Sequence, residues 1–145
     1  MKGNCLCGAV EFELSGEIPK LYQCHCSLCR KVTGSSANAA LIIPVRQFEW
    51  LRGHDQISEY ESETGFKSYF CRACGSPLPN PTRENRAWWV PAGLLEDSSG
   101  LELAAHLYVG SRASWDIIAG SSLQFDQMPD AATLDRLLER VKPVT

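Results

Sequence analysis

Seven cysteines in three tight groups constrain this chain more than any other feature. Cys5 and Cys7 are one residue apart. Cys24, Cys26 and Cys29 form Cys-x-Cys-x-x-Cys, and Cys71 and Cys74 form Cys-x-x-Cys. Two pairs make one set of four ligands, and the triplet makes a set of three. Four thiolates close a tetrahedral structural zinc, whereas three leave a fourth position for water or substrate.

The environment of those thiols follows from composition. There is no apolar run suited to a signal peptide near Met1 and no stretch of membrane-span length. The chain is therefore expected in the cytoplasm, where paired cysteines are more often metal ligands than disulfides. An odd total also fits poorly with a pure disulfide framework. Formal net charge is -3, and no lysine- or arginine-rich block occurs. That argues against general nucleic-acid binding. At 145 residues, 44% hydrophobic and 21% charged, the chain suits one globular domain with a modest core.

The pattern along the chain is mainly β. Val10, Phe12 and Leu14 alternate with Glu11 and Glu13, the period of a half-buried strand. Ala39 to Ile43, Phe48 to Leu51, Ile57 to Tyr60, Ser68 to Cys71, Trp88 to Val90 and Leu103 to Val109 read as further short strands. Pro77, Pro79 and Pro81 argue against ladder structure over their stretch. Ser27 to Val32 is long enough for one helical turn. The one well-marked helix comes last: Leu134, Leu137, Leu138 and Val141 keep helical spacing, with Asp130 as N-cap after Pro129.

Cys5-x-Cys7-Gly8 and Cys71-x-x-Cys74-Gly75 share a form, a short turn with glycine directly after the second cysteine. Glycine accepts the positive φ such a turn needs, so nearby N–H groups can face the sulfurs. Two turns of this kind can present four sulfurs to one zinc; two unrelated cysteine pairs are the competing reading. In Cys24-His25-Cys26, an extended backbone points the two sulfurs one way and His25 the other. A turn over Ser27-Leu28 brings Cys29 round to join them. Three thiolates make a soft zinc that prefers an incoming thiolate to water. Two other readings stay open: His25, His54 or His106 closes this set as a second structural site, or Cys26 and Cys29 form a redox pair. His106, within a strand pattern, also fits a hydrogen-bonded core histidine.

Three segments carry a resemblance: Asn4-Cys-Leu-Cys-Gly-Ala-Val, Cys24-His-Cys-Ser-Leu-Cys-Arg-Lys-Val-Thr-Gly and Phe70-Cys-Arg-Ala-Cys-Gly-Ser-Pro-Leu. They resemble the glutathione-dependent formaldehyde-activating enzymes, a family that also includes centromere protein V. The likeness spans roughly residues 3 to 116, with a weaker echo at His106 to Trp115. It implies a zinc-stapled β-tent of several short antiparallel strands with a C-terminal helix. Residues 1–128 would form the catalytic domain, and 129–145 a helix and tail packed on it. It implies structural zinc on Cys5, Cys7, Cys71 and Cys74, and catalytic zinc on Cys24, Cys26 and Cys29. The implied activity is that of a carbon–sulfur lyase joining glutathione, or a similar thiol, with formaldehyde or a related aldehyde.

An anionic thiol would need cationic anchors. Arg30 and Lys31 are the first candidates, followed by Lys67, Arg72 and Arg112. Thr33, Gly34 and Ser35 could donate hydrogen bonds, and Trp115 would either wall the pocket or sit in the core. Many family members carry an aromatic residue soon after the Thr-Gly step; Ser35 to Ala39 here has none. The rivals to an enzyme are a non-catalytic zinc or glutathione-binding module and a zinc-stapled interaction domain.

Overall fold

Glu11 to Leu14 behaves as its alternation requires. Phe12 and Leu14 are buried, while Glu11 and Glu13 take the other face. The computed structural model describes residues 1–139. Among these, twelve short strands lie in three sheets, with two α-helices. In chain order they are β1 (Lys2–Asn4), β2 (Glu11–Leu14), β3 (Leu21–Cys24), α1 (Ser27–Thr33), β4 (Asn38–Pro44), β5 (Phe48–Arg52) and β6 (Ile57–Glu61). Then come β7 (Lys67–Cys71), β8 (Pro77–Leu78), β9 (Asn80–Pro81), β10 (Ala87–Pro91), β11 (Leu103–Leu107), β12 (Leu123–Gln124) and α2 (Ala131–Leu137). The mainly β expectation holds, and the C-terminal helix is where its spacing put it. No helix among the described residues is long and apolar enough to cross a membrane.

The chain divides into two units, each assembled from two separate stretches. One unit comprises Met1–Ile18 and Leu41–Ser99. The other comprises Pro19–Ala40 and the residues from Gly100 onward.

In the first unit, β1, β2 and β5 form an antiparallel sheet. Phe12 stacks on Phe48 at 5.6 Å between ring centroids, and Phe48 stacks on Trp88 at 4.4 Å. Trp50 meets all three edge-on. Such pairs add about 0.5–1.5 kcal/mol each beyond the area they bury. Gly3 lies under the Phe12 ring, where a Cβ would come within 2.3 Å. β6, β7 and β8 form a second antiparallel sheet, and β9 pairs with β10.

The proline stretch therefore differs from its expectation. Pro77 and Leu78 pair with Phe70 and Tyr69, and Asn80 and Pro81 pair with Trp89 and Trp88. Proline is tolerated here because both pieces are two-residue edge strands, which need few backbone donors. A compact apolar core joins Cys5, Val10, Cys71 and Leu78, with Ile57, Tyr69 and Leu94 packed against it. Two cysteines of the four-ligand set thus lie in the core itself.

In the second unit, β3 pairs antiparallel with β4 through Tyr22–Ala40, Gln23–Ala39 and Cys24–Asn38. The pairings of β11 with β3 and with β12 are parallel, beside the expected antiparallel ones. Alternation marks a strand but not its partner, and a long connection permits the parallel choice. Asp130 caps α2, accepting from the Thr133 N–H at 2.9 Å. Leu134 and Leu138 turn inward, and the Leu138 carbonyl accepts from the Lys20 N–H at 2.9 Å. Val141, and with it the 140–145 part of the expected terminal segment, lies outside the described residues.

Candidate metal centres

The four-sulfur cluster belongs to the first unit. Cys5 follows β1, Cys71 ends β7, and Cys7 and Cys74 sit on the turns that follow. Both turns close on a left-handed glycine, Gly8 and Gly75, each with φ +78°. The ligand atoms of Cys5, Cys7, Cys71 and Cys74 lie within 4.8 Å of one another. Two edges of the group are Cys5 to Cys7 at 3.6 Å and Cys7 to Cys71 at 3.9 Å. A tetrahedron with zinc–sulfur bonds near 2.3 Å has edges of about 3.8 Å. All seven cysteines are free thiols. The donor set and its spacing therefore fit a closed metal site, and the reading as two unrelated pairs fails.

Backbone and hydroxyl groups point at these sulfurs. The Val10 N–H donates to Cys5 Sγ at 3.3 Å. Burial works against the Cys5 thiolate, but this N–H and the neighbouring Cys7 and Cys71 hold its pKa below the ordinary thiol value. Ser76, which no local sequence signal marks, lies 3.3 Å from Cys74 Sγ and accepts from the Leu6 N–H at 2.9 Å. Its hydroxyl and its N–H draw the Cys74 thiol down to about 5. At Cys7 the Ala9 N–H favours the thiolate, yet the Cys5 sulfur, desolvation, and the Cys74 and Cys71 sulfurs together outweigh it and push the thiol up to about 11. Two neighbouring thiols cannot both ionise freely without a cation between them.

The three-sulfur cluster belongs to the second unit. Cys24 ends β3, Cys26 is the N-cap of α1, and Cys29 lies in its first turn. The Cys29 N–H donates to Cys26 Sγ at 3.4 Å, so the helix start fixes the relative placement of both residues. The three ligand atoms again lie within 4.8 Å of one another. No fourth histidine, cysteine or carboxylate joins them among the described residues. Hydrogen bonding from Cys29 draws the Cys24 thiol down to about 6, while Cys29 itself is pushed far up by its neighbour Cys24 and by burial. The donor set fits a soft divalent ion with one position left for an outside ligand.

The histidines are otherwise engaged. His25 turns away from the sulfurs, as extended geometry requires. Its Nδ1 lies 2.9 Å from Asp116 Oδ2 and its Nε2 lies 3.0 Å from His106 Nδ1. His25 is 2% exposed and His106 is 4% exposed. Burial, then the nearby His25, lowers the pKa of His106. His54 belongs to the first unit, edge-on to Trp50. The hydrogen-bonded core histidine expected at 106 is present. Asp116, its indirect partner, was not singled out in the sequence, because nothing local marks a residue 91 positions from His25.

The other candidates separate by unit. Arg30 follows Cys29 on α1, and its Nε is buried without a hydrogen-bond partner. Lys31 is exposed beside it. Thr33 Oγ1 donates to the Cys29 carbonyl at 2.7 Å. Gly34 is the left-handed C-cap at φ +63°, its N–H on the Arg30 carbonyl, which the Ser35 N–H also reaches at 3.3 Å. These three residues thus stop the helix. Arg112 is exposed in the second unit. Lys67 and Arg72 belong to the first unit, where Arg72 donates to the Asp55 carbonyl. Trp115 is 68% exposed, so its alternative place in the core is overturned; the flanking turn directs it outward while Asp116 points in.

Comparison with known proteins agrees with the cysteine pattern. Residues 1–111 match the family described as glutathione-dependent formaldehyde-activating enzyme. An uncharacterized lyase of Schizosaccharomyces pombe is 32% identical over 77 residues, 53% of this chain and 54% of its own length. A Halomonas elongata protein, provisionally named a glutathione-dependent formaldehyde-activating enzyme, is 32% identical over 84 residues, covering 54% of each chain. The chain thus spans about half the length of these curated relatives. A crystal structure of a Rhodobacter sphaeroides protein matches with a TM-score of 0.57 and 28% identity, over 72% of this chain and all of that one.

Proposed function

The chain belongs to the glutathione-dependent formaldehyde-activating enzyme family, and from that premise we propose that it is a zinc-dependent carbon–sulfur lyase joining glutathione, or a similar thiol, to formaldehyde or a related small aldehyde. One observation carries this reading: Cys24, Cys26 and Cys29 gather without a fourth ligand among the described residues, whereas Cys5, Cys7, Cys71 and Cys74 form a full set. The larger set would hold structural zinc and the smaller set catalytic zinc. A reducing cytoplasmic setting, which keeps seven thiols free, is part of the proposal.

Zinc held by Cys24, Cys26 and Cys29 would supply a soft Lewis acid that lowers the proton affinity of an incoming thiol. The protein's own residues do the rest. Arg30 and Lys31, directly after Cys29, would pair with the carboxylates of the thiol substrate. Thr33 and Gly34 hold the turn that presents this segment. The sulfur then adds to the aldehyde carbon. A carbon–sulfur bond forms, the carbon–oxygen π bond breaks, and the proton lost by the thiol ends on the new hydroxyl oxygen. Fixing thiol and aldehyde together is the main gain expected, because intramolecular placement removes an entropic barrier.

Thiols add to aldehydes unaided, so the decisive experiment is a rate. Adduct formation from glutathione and formaldehyde is followed with and without protein, by the change in free formaldehyde. The enzyme reading expects acceleration that is lost in Cys26→Ser. No acceleration at saturating protein would return the chain to the rank of a thiol-binding module.

A further inference from the structure

Resting on that metal reading, we infer that His25, Asp116 and His106 form a buried positioning chain that locks the backbone between two sulfurs of the three-membered cluster. His25 is the residue between Cys24 and Cys26, and its side chain leaves the opposite side of the strand. Any swing of its ring must move the backbone that carries both sulfurs. The ring is held from both ends, by Asp116 at 2.9 Å and His106 at 3.0 Å. The backbone is held too: the His25 N–H donates to the Leu107 carbonyl at 2.9 Å, and Cys24 is in register with Leu107 on one side and Asn38 on the other.

The direction of the hydrogen bonds follows from the chemistry of each group. A carboxylate only accepts, so Nδ1 of His25 carries a hydrogen. In a neutral ring Nε2 then accepts from Nδ1–H of His106. That leaves Nε2 of His106 as the end of the chain, buried and without a partner. Asp116 reaches inward with its side chain only 10% exposed, although its neighbours Trp115 and Ile117 are 68% and 89% exposed. The turn that aims it is closed by the Asp116 N–H on the Ala113 carbonyl at 3.0 Å. An inward carboxylate between two outward apolar side chains is held there by its partner rather than by burial of its neighbours.

This chain differs from the carboxylate–histidine–metal arrangement, in which the histidine is itself a ligand. Here the histidine stands between two ligands and acts through the backbone. His25, Asp116 and His106 are therefore positioning residues.

The test is cobalt(II) binding to the full-length, metal-free protein, read by the thiolate-to-cobalt absorption band and by competition with a chelator. Wild type takes two cobalt ions. Asp116→Ala lowers the affinity of the three-sulfur site about 10–100-fold, the usual cost of removing an outer-shell partner, and leaves the four-sulfur site unchanged. Asp116→Asn keeps an oxygen acceptor for His25 and recovers most of the loss. His106→Leu repeats the loss, and His106→Asn, which keeps a donor near the Nδ1 position, relieves it. The four-sulfur site and the far-ultraviolet circular dichroism serve as internal controls on folding. A wild type with two ions and an Asp116→Ala chain that holds both as tightly would overturn this inference alone. Equal weakening of both sites would also overturn it, since that marks general loosening. A wild type that binds one ion would sink the inference and the catalytic-metal reading together.

Discussion

The two cysteine clusters differ less in ligand chemistry than in what surrounds it. The four-sulfur cluster is built into hydrophobic packing. Cys5 and Cys71 are 1% and 0% exposed and share a core with Val10 and Leu78. The three-sulfur cluster sits on the end of a strand and the start of a seven-residue helix with no buried residue of its own. Polar contacts stabilise it instead: a capping sulfur, a hydroxyl on the Cys29 carbonyl and the histidine chain behind it. One cluster contributes to holding its unit together. The other is held in shape by its unit.

The strongest way to break this comparison is to remove one sulfur from each. Structural zinc is worth on the order of 10 kcal/mol in small zinc-dependent folds, comparable to the whole stability of a domain, about 5–15 kcal/mol. Cys71→Ser should therefore abolish the cooperative thermal transition in calorimetry. Cys26→Ser should keep that transition, lose one of two metals by elemental analysis, and reduce adduct formation to the uncatalysed rate. If the two variants melt alike, the division between scaffold and site is wrong.

Acidity sharpens the same contrast. Cys29 and Cys7 both hold a proton that a metal must displace, so each site should weaken about tenfold per unit as pH falls. The sign is fixed, because protons and metal compete for the same sulfurs. The Cys24 thiol is drawn down to about 6 and the Cys74 thiol further, to about 5. Chelator titrations stepped from pH 7 to pH 5 should strip the three-sulfur site first. Simultaneous loss of both metals would contradict this order.

The smallest effects come from the glycines that end each segment. Gly75 and Gly34 both have positive φ and open space around the missing Cβ. Alanine at either should cost about 1–2 kcal/mol through left-handed strain alone. Gly75→Ala should lower the melting temperature together with retention of the structural metal. Gly34→Ala should cost similar stability while that metal stays bound. Melting curves followed by metal analysis distinguish the two.

Much of this was legible in the sequence, and the rest was not for physical reasons. The Phe12–Leu14 alternation, the Asp130 cap and the glycine after each cysteine turn are local signals, and each is met. β1 and β12 carry no such signal; Lys2–Asn4 and Leu123–Gln124 are strands only because a neighbour pairs with them. Pro77 and Pro81 were read by what proline forbids, although short edge pieces evade that rule. The three-sulfur grouping was visible as spacing. The Asp116 support was not, because it depends on a turn that reaches back across the chain.

The interleaving of the two units has a consequence for how the protein is made. A nascent chain exposes Cys24, Cys26 and Cys29 together, but it cannot complete the larger cage until Cys71 and Cys74 leave the ribosome. At roughly 5–20 residues per second this interval lasts seconds. Newly made protein thus has all three sulfurs of the smaller group outside before the larger group has its last two. An ion that arrives in that interval finds three complete neighbours in Cys24, Cys26 and Cys29 but only half of the larger set.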